Sequence, residues 1–495
     1  MTSVSSPRRS SPNSSRPARG KKPRAPDEPT IRASEWSDVV TVNGGVSFWW
    51  QQIGLPAPRP TLPGSIDVDV AIVGAGYTGL WTAYYLKKAE PSLRIAVLEA
   101  RFAGFGASGR NGGWLTNDIT GGRERMAKTY GRQPTIDHQN ALNATIDEVL
   151  TIAAEEGIDA DIRKGGELTV AYTPAQFGRL QAAAEALAAW PGTDGTLLSA
   201  SDTANRVNVA GTLGGIWHPH CAKVHPAKLA RGLTEAVERL GVDIYENTPV
   251  HEIEPGCART DFGTVRATHI LRATEGFTAN LAGEHRTWLP MNSSMIVTEP
   301  LPETTWESIN WQGYDTLGDM AHVYMYAQRT ADGRIALGGR GVPYRYGSAV
   351  DTDGSTQPAT IDSLTALLRR FFPALHSAAI DHAWSGVLGV PRDWSASVTY
   401  DPRTGLGFAG GYVGTGVTAT NLAGRTLRDL VLGHTTDLTR APWVGHRARR
   451  WEFEPLRYLA VHGIYAAYRA ADTSEARGRT TSSPIARLAD LVAGR

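Results

Sequence analysis

The sequence predicts an α/β protein that contains a doubly wound sheet, and three neighbouring segments carry this prediction. Residues Asp67–Val73 have the pattern of a buried strand. A helix is predicted from Tyr77 to about Ala89, and a second buried strand follows at Arg94–Glu99. The order strand, turn, helix and strand is typical of the beginning of a doubly wound sheet.

The rest of the chain mixes helix and strand patterns. Helical spacing of apolar residues predicts helices at 134–158, 175–189, 226–240 and 417–432. Further strands are predicted at 166–172, 242–245, 250–253, 269–273, 295–298 and 334–337. His225 precedes a proline that suits the first turn of its helix, and we expect this histidine to serve the start of that helix.

Composition indicates a globular protein without a strong charge bias. The 495 residues are 41% hydrophobic and 20% charged, with a formal net charge of +1. This balance argues against a nucleic-acid partner and against an anionic membrane surface. No apolar run is long enough to span a membrane. The two cysteines, Cys221 and Cys257, form no metal-ligand pattern and fit reduced thiols, so we expect no metal and a cytoplasmic location.

Both termini differ from the predicted core. Residues 1–45 are predicted to be a disordered basic tail, because the first thirty are rich in Ser, Pro, Arg and Lys. No apolar stretch follows Arg8 and Arg9, so an export signal is not expected. Residues 434–495 are rich in Arg and Trp, and we expect them to wrap the surface.

A glycine fingerprint joins the first strand to the first helix. Gly74, Gly76 and Gly79 have the G-x-G-x-x-G spacing of a dinucleotide-binding turn. The first glycine permits a tight turn, the second allows the backbone to approach a pyrophosphate, and the third allows close helix–strand packing. Glu99 ends the second strand, where a carboxylate would bind ribose hydroxyls. These features together predict a bound dinucleotide.

Two further glycine-rich segments favour FAD over NAD. Residues Arg101–Gly113 form a long loop directly after the second strand, and its backbone could follow an extended cofactor. Ser108 and Asn111 are expected to donate hydrogen bonds to that cofactor. Residues Gly405–Val417 form a second strand, glycine turn and helix start, whose N–H groups would stabilise a reduced flavin.

With these motifs the chain resembles the D-amino-acid-oxidase-like family of flavoproteins. Within that family it is most similar to the branch of gamma-glutamylputrescine oxidase and related amine oxidases. The resemblance covers about residues 48–472 and is carried by these segments: 73–79, 104–113, 224–226, 272–276, 332–335 with 338–339, and 410–416. The run from Gly106 to Gly113 is specific to this branch.

The resemblance implies a discontinuous Rossmann-like FAD-binding domain and a second, mixed and largely antiparallel substrate domain. The FAD-binding domain would comprise residues 46–120, 222–290 and 384–433, and the substrate domain residues 121–221 and 291–383. The cofactor-binding residues expected from the motifs and the resemblance are Gly74, Gly76, Thr78, Gly79, Glu99, Arg101, Gly106, Ala107, Ser108, Arg110, Asn111, Gly112, Gly113, Val250, Ala273, Gly414, Thr415, Gly416 and Val417. Val250 would contact adenine, and Ala273 would lie near the pyrophosphate.

Thr418 marks a departure from the family. Relatives that act on sarcosine have a lysine here, which suggests that this chain lacks their clamp for an α-carboxylate. Arg340 could still bind an anionic group, but a salt-bridged surface arginine is an equal alternative. No Cys lies between Trp384 and Arg425 and no His between Phe48 and Tyr130, so we expect non-covalent FAD.

The expected substrate face consists of Trp114, Met291, Tyr324, Tyr326 and Arg340, of which Trp114, Tyr324 and Arg340 are the candidate catalytic residues. Aromatic walls suit an amine substrate, although each aromatic residue alone is more often part of a core. We expect hydride transfer from a C–N carbon to the flavin, with reoxidation by oxygen. A flavin dehydrogenase with another acceptor and a flavin-binding subunit without turnover are the alternatives.

Overall fold

The computed structural model describes residues 1–3, 40–350 and 353–493. Most of the predicted tail lies outside the described residues. Its predicted boundary at residue 45 is wrong, because Val40–Asn43 form a strand that pairs in parallel with residues 380–383. Four residues are too few to show a clear periodicity, and the strand is held by its sheet partner.

The bounds of the elements follow the chain order. The strands are β1 (Val40–Asn43), β2 (Ile66–Val73), β3 (Ile95–Leu98), β4 (Trp114–Thr116), β5 (Arg163–Lys164), β6 (Glu167–Ala171), β7 (Thr196–Ser199), β8 (Gly214–His218), β9 (Cys221–Lys223), β10 (Asp243–Tyr245), β11 (Val250–Glu254), β12 (Cys257–Thr260), β13 (Gly263–Arg272), β14 (Leu289–Thr298), β15 (Thr316–Asp319), β16 (Tyr326–Arg329), β17 (Ile335–Gly339), β18 (Ile380–Val390), β19 (Ser397–Asp401) and β20 (Leu406–Gly410). The helices are α1 (Phe48–Ile53), α2 (Tyr77–Ala89), α3 (Arg123–Tyr130), α4 (Arg132–Glu155), α5 (Pro174–Ala188), α6 (Ala200–Arg206), α7 (Pro226–Arg239), α8 (Glu303–Ile309), α9 (Pro358–Phe371), α10 (Gly416–Val431), α11 (Leu456–Ala476) and α12 (Pro484–Ala493).

An eight-stranded sheet contains the predicted doubly wound core. Its parallel centre has the order β10-β3-β2-β13, and β20 pairs in parallel with the last residues of β13. The hairpin β11–β12 and strand β19 extend the sheet in antiparallel fashion. The predicted strand–turn–helix–strand order is confirmed, and three separate stretches of the chain supply the strands.

A nine-stranded sheet has the order β1-β18-β14-β17-β16-β15-β6-β8-β7. All its pairings are antiparallel except β1–β18 and β15–β6, so the sheet is mixed and largely antiparallel, as predicted. Strand β18 belongs to this sheet, and the predicted boundary at residue 384 therefore cuts through a strand. A small sheet of β4, β9 and β5 was not predicted, because two or three residues give no periodicity.

Close packing of α2 against α10 brings the two glycine-rich helix starts together. A Cβ atom on Gly424 of α10 would lie 2.9 Å from the backbone nitrogen of Thr82 in α2. At the helix starts, the Thr78 hydroxyl lies 3.2 Å from the hydroxyl of Tyr412. Two segments more than 300 residues apart in sequence thus form one edge of the site.

His225 has the role that the sequence predicted. Its Nδ1 accepts a hydrogen bond of 3.2 Å from the backbone N–H of Lys228, and it caps α7. The side chain is buried, and burial lowers its pKa to about 4, so the ring is neutral at pH 7. A neutral ring suits this role because the capping nitrogen must keep a lone pair free to accept the hydrogen bond.

The C-terminal segment contacts α5 and the loop between β15 and β16 through charged groups of α11. Glu475 pairs with Arg179 at 2.8 Å, and the Asp472 carboxylate accepts the backbone N–H groups of His322 and Val323. The wrapping role of residues 434–495 stays a prediction. Among the residues that the structure describes, no helix is both long and apolar enough to cross a membrane.

Candidate active site

The start of α2 leaves room for a phosphate group. A Cβ atom on Gly76 would meet only the Ser108 hydroxyl oxygen, at 3.0 Å. By contrast, Gly74 has a φ of +105°, and a Cβ atom on Gly79 would lie 2.0 Å from the carbonyl oxygen of Gly74. Gly74 and Gly79 are thus required by the turn itself. Gly76 keeps open the space in front of the first helical N–H groups, which lack intrahelical acceptors.

The loop from Arg101 to Gly113 is held by its own side chains. Asn111 donates to the carbonyl oxygens of Ala107 and Ser108 and accepts from the N–H of Gly113 at 2.7 Å. The expected donation from Asn111 to the cofactor is therefore wrong for its side chain, since both amide protons are used inside the loop. Ser108 accepts from the N–H of Tyr77 at 2.8 Å and keeps its own proton available.

Arg110 is a structural anchor of the same loop. Its Nε donates to the carbonyl of Phe105 at 2.8 Å, and its guanidinium carbon lies 4.3 Å from the centre of the Phe105 ring. The residue is buried and lines the central cavity. We therefore expect it to support the cofactor site by fixing the loop.

Glu99 holds the turn at the ends of the parallel strands. Its carboxylate accepts the N–H groups of Ala75 at 2.8 Å and Arg101 at 3.0 Å, and burial raises its pKa. The Arg101 side chain is exposed, and Val250 packs against the small apolar cluster beneath β2 and β13. Ribose binding by Glu99 and adenine contact by Val250 stay predictions.

One large cavity joins the two helix starts to the nine-stranded sheet. Of the expected cofactor residues, those that line it are Gly76, Thr78, Ala107, Ser108, Arg110, Asn111, Gly112, Ala273, Gly414, Thr415, Gly416 and Val417. The others do not line it: Gly74, Gly79, Glu99, Arg101, Gly106, Gly113 and Val250. Among the described residues, no cysteine or histidine lines the cavity, and non-covalent binding of FAD stays a prediction.

Two glycines leave room for the ring of Tyr326 in the wall of this cavity. Ideal Cβ atoms on Gly112 and Gly338 would lie 2.6 Å and 2.3 Å from the ring of Tyr326. The Tyr326 hydroxyl is 2.8 Å from the Ser293 hydroxyl, and Trp114 meets its ring edge-to-face with centroids 6.3 Å apart. The Trp114 indole nitrogen has no hydrogen-bond partner among the described residues.

Two of the proposed substrate residues, Tyr324 and Met291, and the departure from the family at Thr418 occupy different positions. Tyr324 is 42% exposed, and its hydroxyl is 4.0 Å from an ideal Cβ of Gly414, so it stands at the mouth of the cavity above the C-terminal turn. Met291 packs in an apolar cluster and does not line the cavity, so its predicted place on the substrate face is wrong. Thr418 is completely buried inside α10 and also does not line the cavity.

Arg340 is not a salt-bridged surface arginine, and that alternative is wrong. Its Nη1 donates to the carbonyl of Asn292 at 3.1 Å, and it faces the tyrosines Tyr324, Tyr326 and Tyr465. Among the described residues no carboxylate pairs with it. Although burial opposes the charge, the neighbouring tyrosine hydroxyls raise its pKa, so the cation is retained.

Four acidic residues of the cavity were missed by sequence reasoning: Asp118, Glu167, Glu275 and Asp319. Glu275 accepts the N–H groups of Gly389, Gly411 and Tyr412, and burial raises its pKa to about 7. An acidic residue in otherwise apolar or glycine-rich surroundings was the available signal, as in the run Ala273–Gly276.

Comparison with known proteins agrees with this geometry. The model of the family "FAD dependent oxidoreductase", called DAO, matches residues 69–430. The "Gamma-glutamylputrescine oxidoreductase" of Escherichia coli (strain K12) is 31% identical over 80% of this chain and 92% of that protein. A "Glycine oxidase" from Bacillus licheniformis is 23% identical over 80% of this chain and 98% of that protein.

The solved structure of a glycine oxidase from Geobacillus kaustophilus shares the fold. It superposes with a TM-score of 0.64 and 20% identity, over 77% of this chain and 99% of that one. The open space at Gly76, the helix starts of α2 and α10 and the glycine-rich loop between them fit an FAD molecule. The chain belongs to the DAO family of FAD-dependent oxidoreductases.

Proposed function

We propose that this enzyme oxidises a C–N bond of an amine that carries a separate anionic group, with oxygen as the electron acceptor. The names of its relatives support an amine or amino acid as substrate, because they specify gamma-glutamylputrescine, glycine and sarcosine. A cytoplasmic location also remains part of the proposal, and the two free cysteines support it.

Arg340 is the observation that carries the substrate class. A guanidinium group that lines an active-site cavity without a carboxylate partner is costly unless an anion binds there. Its forked N–H groups match a carboxylate or a phosphate. Since Thr418 is buried away from the cavity, we assign the anion-binding role to Arg340 rather than to the C-terminal turn.

The other cavity residues position the substrate. Bound FAD supplies a two-electron acceptor for hydride transfer. The rings of Trp114 and Tyr326 form an apolar wall that excludes water and attracts a cationic amine. Tyr324 covers the mouth above Gly414, and Arg340 holds the anionic end of the substrate. These contacts place the reacting carbon without a side-chain nucleophile.

The test compares two acylated diamines, of which one carries a carboxylate at the end of its acyl group and the other does not. N-succinylputrescine carries a carboxylate and N-acetylputrescine does not. In the wild type we expect anaerobic flavin reduction at low substrate concentration to be about tenfold to a hundredfold faster with the succinyl compound, as expected for charged hydrogen bonds. Arg340→Ala should remove this advantage, whereas the matched control Arg403→Ala, at an 87% exposed side chain, should keep it.

Three outcomes would contradict parts of the proposal. A succinyl advantage that survives in Arg340→Ala would exclude Arg340 as the anion site. If sarcosine reduced the wild-type flavin fastest and lost this advantage in Arg340→Ala, the substrate would be an α-amino acid held by Arg340. If the reduced flavin persisted in air without hydrogen peroxide, oxygen would not be the acceptor and the dehydrogenase alternative would hold.

A further inference from the structure

Asp118 lies in the wall of the main cavity, two residues beyond β4. Close by, the Thr120 hydroxyl oxygen lies 2.9 Å from the Thr415 hydroxyl oxygen and donates to the carbonyl of Tyr412 at 3.3 Å. This contact holds the segment that carries Asp118 against the C-terminal glycine turn. Within residues 40–350 and 353–493, no group forms a hydrogen bond or an ion pair with the Asp118 carboxylate.

The neighbouring Glu167 is already partnered. Its carboxylate accepts a hydrogen bond of 2.9 Å from the Thr116 hydroxyl and lies 3.6 Å from Nε2 of His218. Burial, and then the charge of Glu167, raise the pKa of Asp118, whereas Arg123 and His218 act in the opposite direction. The titratable and charged groups around Asp118 are Glu167, Arg123, His218, His138 and Cys221.

A small void lies on the other side of Asp118. It has a volume of about 10 Å³ and is lined by Asp118, Thr120, Met126, His138, Leu142, Ala396, Ala419 and Trp443. His138 is 4% exposed and Trp443 is 3% exposed, yet His138 Nδ1 and Trp443 Nε1 have no hydrogen-bond partner among the described residues. Such a space can hold about one water molecule where several polar groups surround it.

We propose that Asp118 accepts the proton of the substrate's ammonium group and that the void behind it holds a water hydrogen-bonded to its carboxylate. This inference rests on the proposed amine oxidation. In the step, an N–H bond of the ammonium group breaks and an O–H bond forms on Asp118. The electron pair of the broken bond stays on nitrogen, and nothing is oxidised or reduced.

The proton transfer is required by the chemistry of the proposed reaction. An alkylamine is protonated at pH 7, because its pKa lies near that of a lysine side chain, about 10.4. Hydride departs from the neighbouring carbon only when the nitrogen lone pair is free to form the C=N bond. The Asp118 carboxylate in the cavity wall binds a proton more tightly than an ordinary aspartate. It can therefore take the proton from the ammonium group and leave the amine neutral.

The test measures the pH dependence of anaerobic flavin reduction at saturating N-succinylputrescine. At pH 7, Asp118→Asn should reduce the rate by about 10²–10⁴-fold, the usual contribution of a positioned base. The deficit should shrink as the pH approaches the pKa of the amine. It should also shrink with a β-difluorinated analogue, because the fluorines lower the pKa of the amine and a much larger share of it is neutral at pH 7 than for the unfluorinated compound. FAD content and the visible flavin spectrum should match the wild type.

Two further variants sharpen the comparison. Asp137→Asn removes an exposed carboxylate from the same helix as His138 and should leave the rate unchanged. His138→Phe should displace the void water and move the acidic limb of the wild-type rate profile to higher pH, because the Asp118 anion loses a donor. An unchanged limb in His138→Phe would overturn the water assignment.

The wild type alone also tests the inference if Asp118→Asn does not fold. The fall in the rate of flavin reduction at low pH, the acidic limb, should lie at the same pH for the succinyl substrate and its fluorinated analogue. This is expected because protonation of Asp118, and not of the amine, causes the fall. A limb that follows the pKa of the amine, or an Asp118→Asn profile equal to wild type, would overturn the role of Asp118. Absence of flavin reduction by every amine would instead refute the proposed function itself.

Discussion

Gly76→Val is expected to yield a folded protein that retains almost no FAD. An ideal Cβ atom at this position approaches only the Ser108 hydroxyl oxygen, so the chain itself has room for a larger residue with a small shift of that side chain. The added methyl groups would fill the space in front of the α2 N-terminus, where the diphosphate of FAD must bind. We expect the FAD content per chain to fall more than tenfold.

Flavin absorbance after purification, together with chemical denaturation of the apoprotein, checks this result. Gly178→Val is the matched control, because Gly178 is exposed on α5 and a Cβ atom there would meet nothing within 4 Å. Gly79 would be a poor choice, since its Cβ atom would collide with the backbone of Gly74 whether or not FAD binds. Normal FAD content in Gly76→Val would refute the phosphate site at α2.

Glu275→Ala is expected to destabilise the protein by about 2–4 kcal/mol, because three backbone N–H groups lose their acceptor. The carboxylate binds the N–H groups of Gly411 at 2.9 Å, Gly389 at 3.2 Å and Tyr412 at 3.3 Å. It therefore ties the 3₁₀ turn after β13 to β18 and to the C-terminal glycine turn. Urea denaturation with and without added FAD measures both the stability and the loss of cofactor affinity.

Glu275→Gln is the control that keeps one acceptor oxygen, and its effect depends on pH. The folded pKa of Glu275 is about 7, above the ordinary glutamic acid value of 4.5. The folded state thus binds the proton more tightly, and the contribution of Glu275 to stability is lost as pH rises from about 4.5 to 7. The stability of wild type relative to Glu275→Gln should fall across this range. A constant difference would contradict the assigned pKa shift.

The motifs that depend on backbone geometry could be predicted from the sequence. Gly74, Gly76 and Gly79 predict the turn because the local backbone geometry at each of these positions favours a residue without a side chain. The helix after Pro226 and its cap at His225 were predicted on the same local grounds. These interactions join residues that are neighbours along the chain.

The partners of distant side chains could not be predicted in this way. Glu275 binds a turn that lies 136 residues away in sequence, and Asp118 gains its surroundings from β6, β8 and α4. Arg340 could equally have had an ion-pair partner, and only the assembled sheet shows tyrosines around it. The short strands β5 and β9 likewise depend on their neighbours rather than on their own residues.

The most direct test of amine oxidation is anaerobic mixing of the FAD-loaded enzyme with N-succinylputrescine, followed by the visible absorbance of the flavin. We expect one equivalent of amine to bleach one equivalent of flavin, with release of ammonia and an aldehyde after hydrolysis of the imine. Deuterium on the carbon beside the amine should slow the bleaching. Amine oxidation would be contradicted if dithionite bleached the flavin while this amine, sarcosine and a panel of other amines left its absorbance unchanged, as expected for a flavin-binding subunit without turnover.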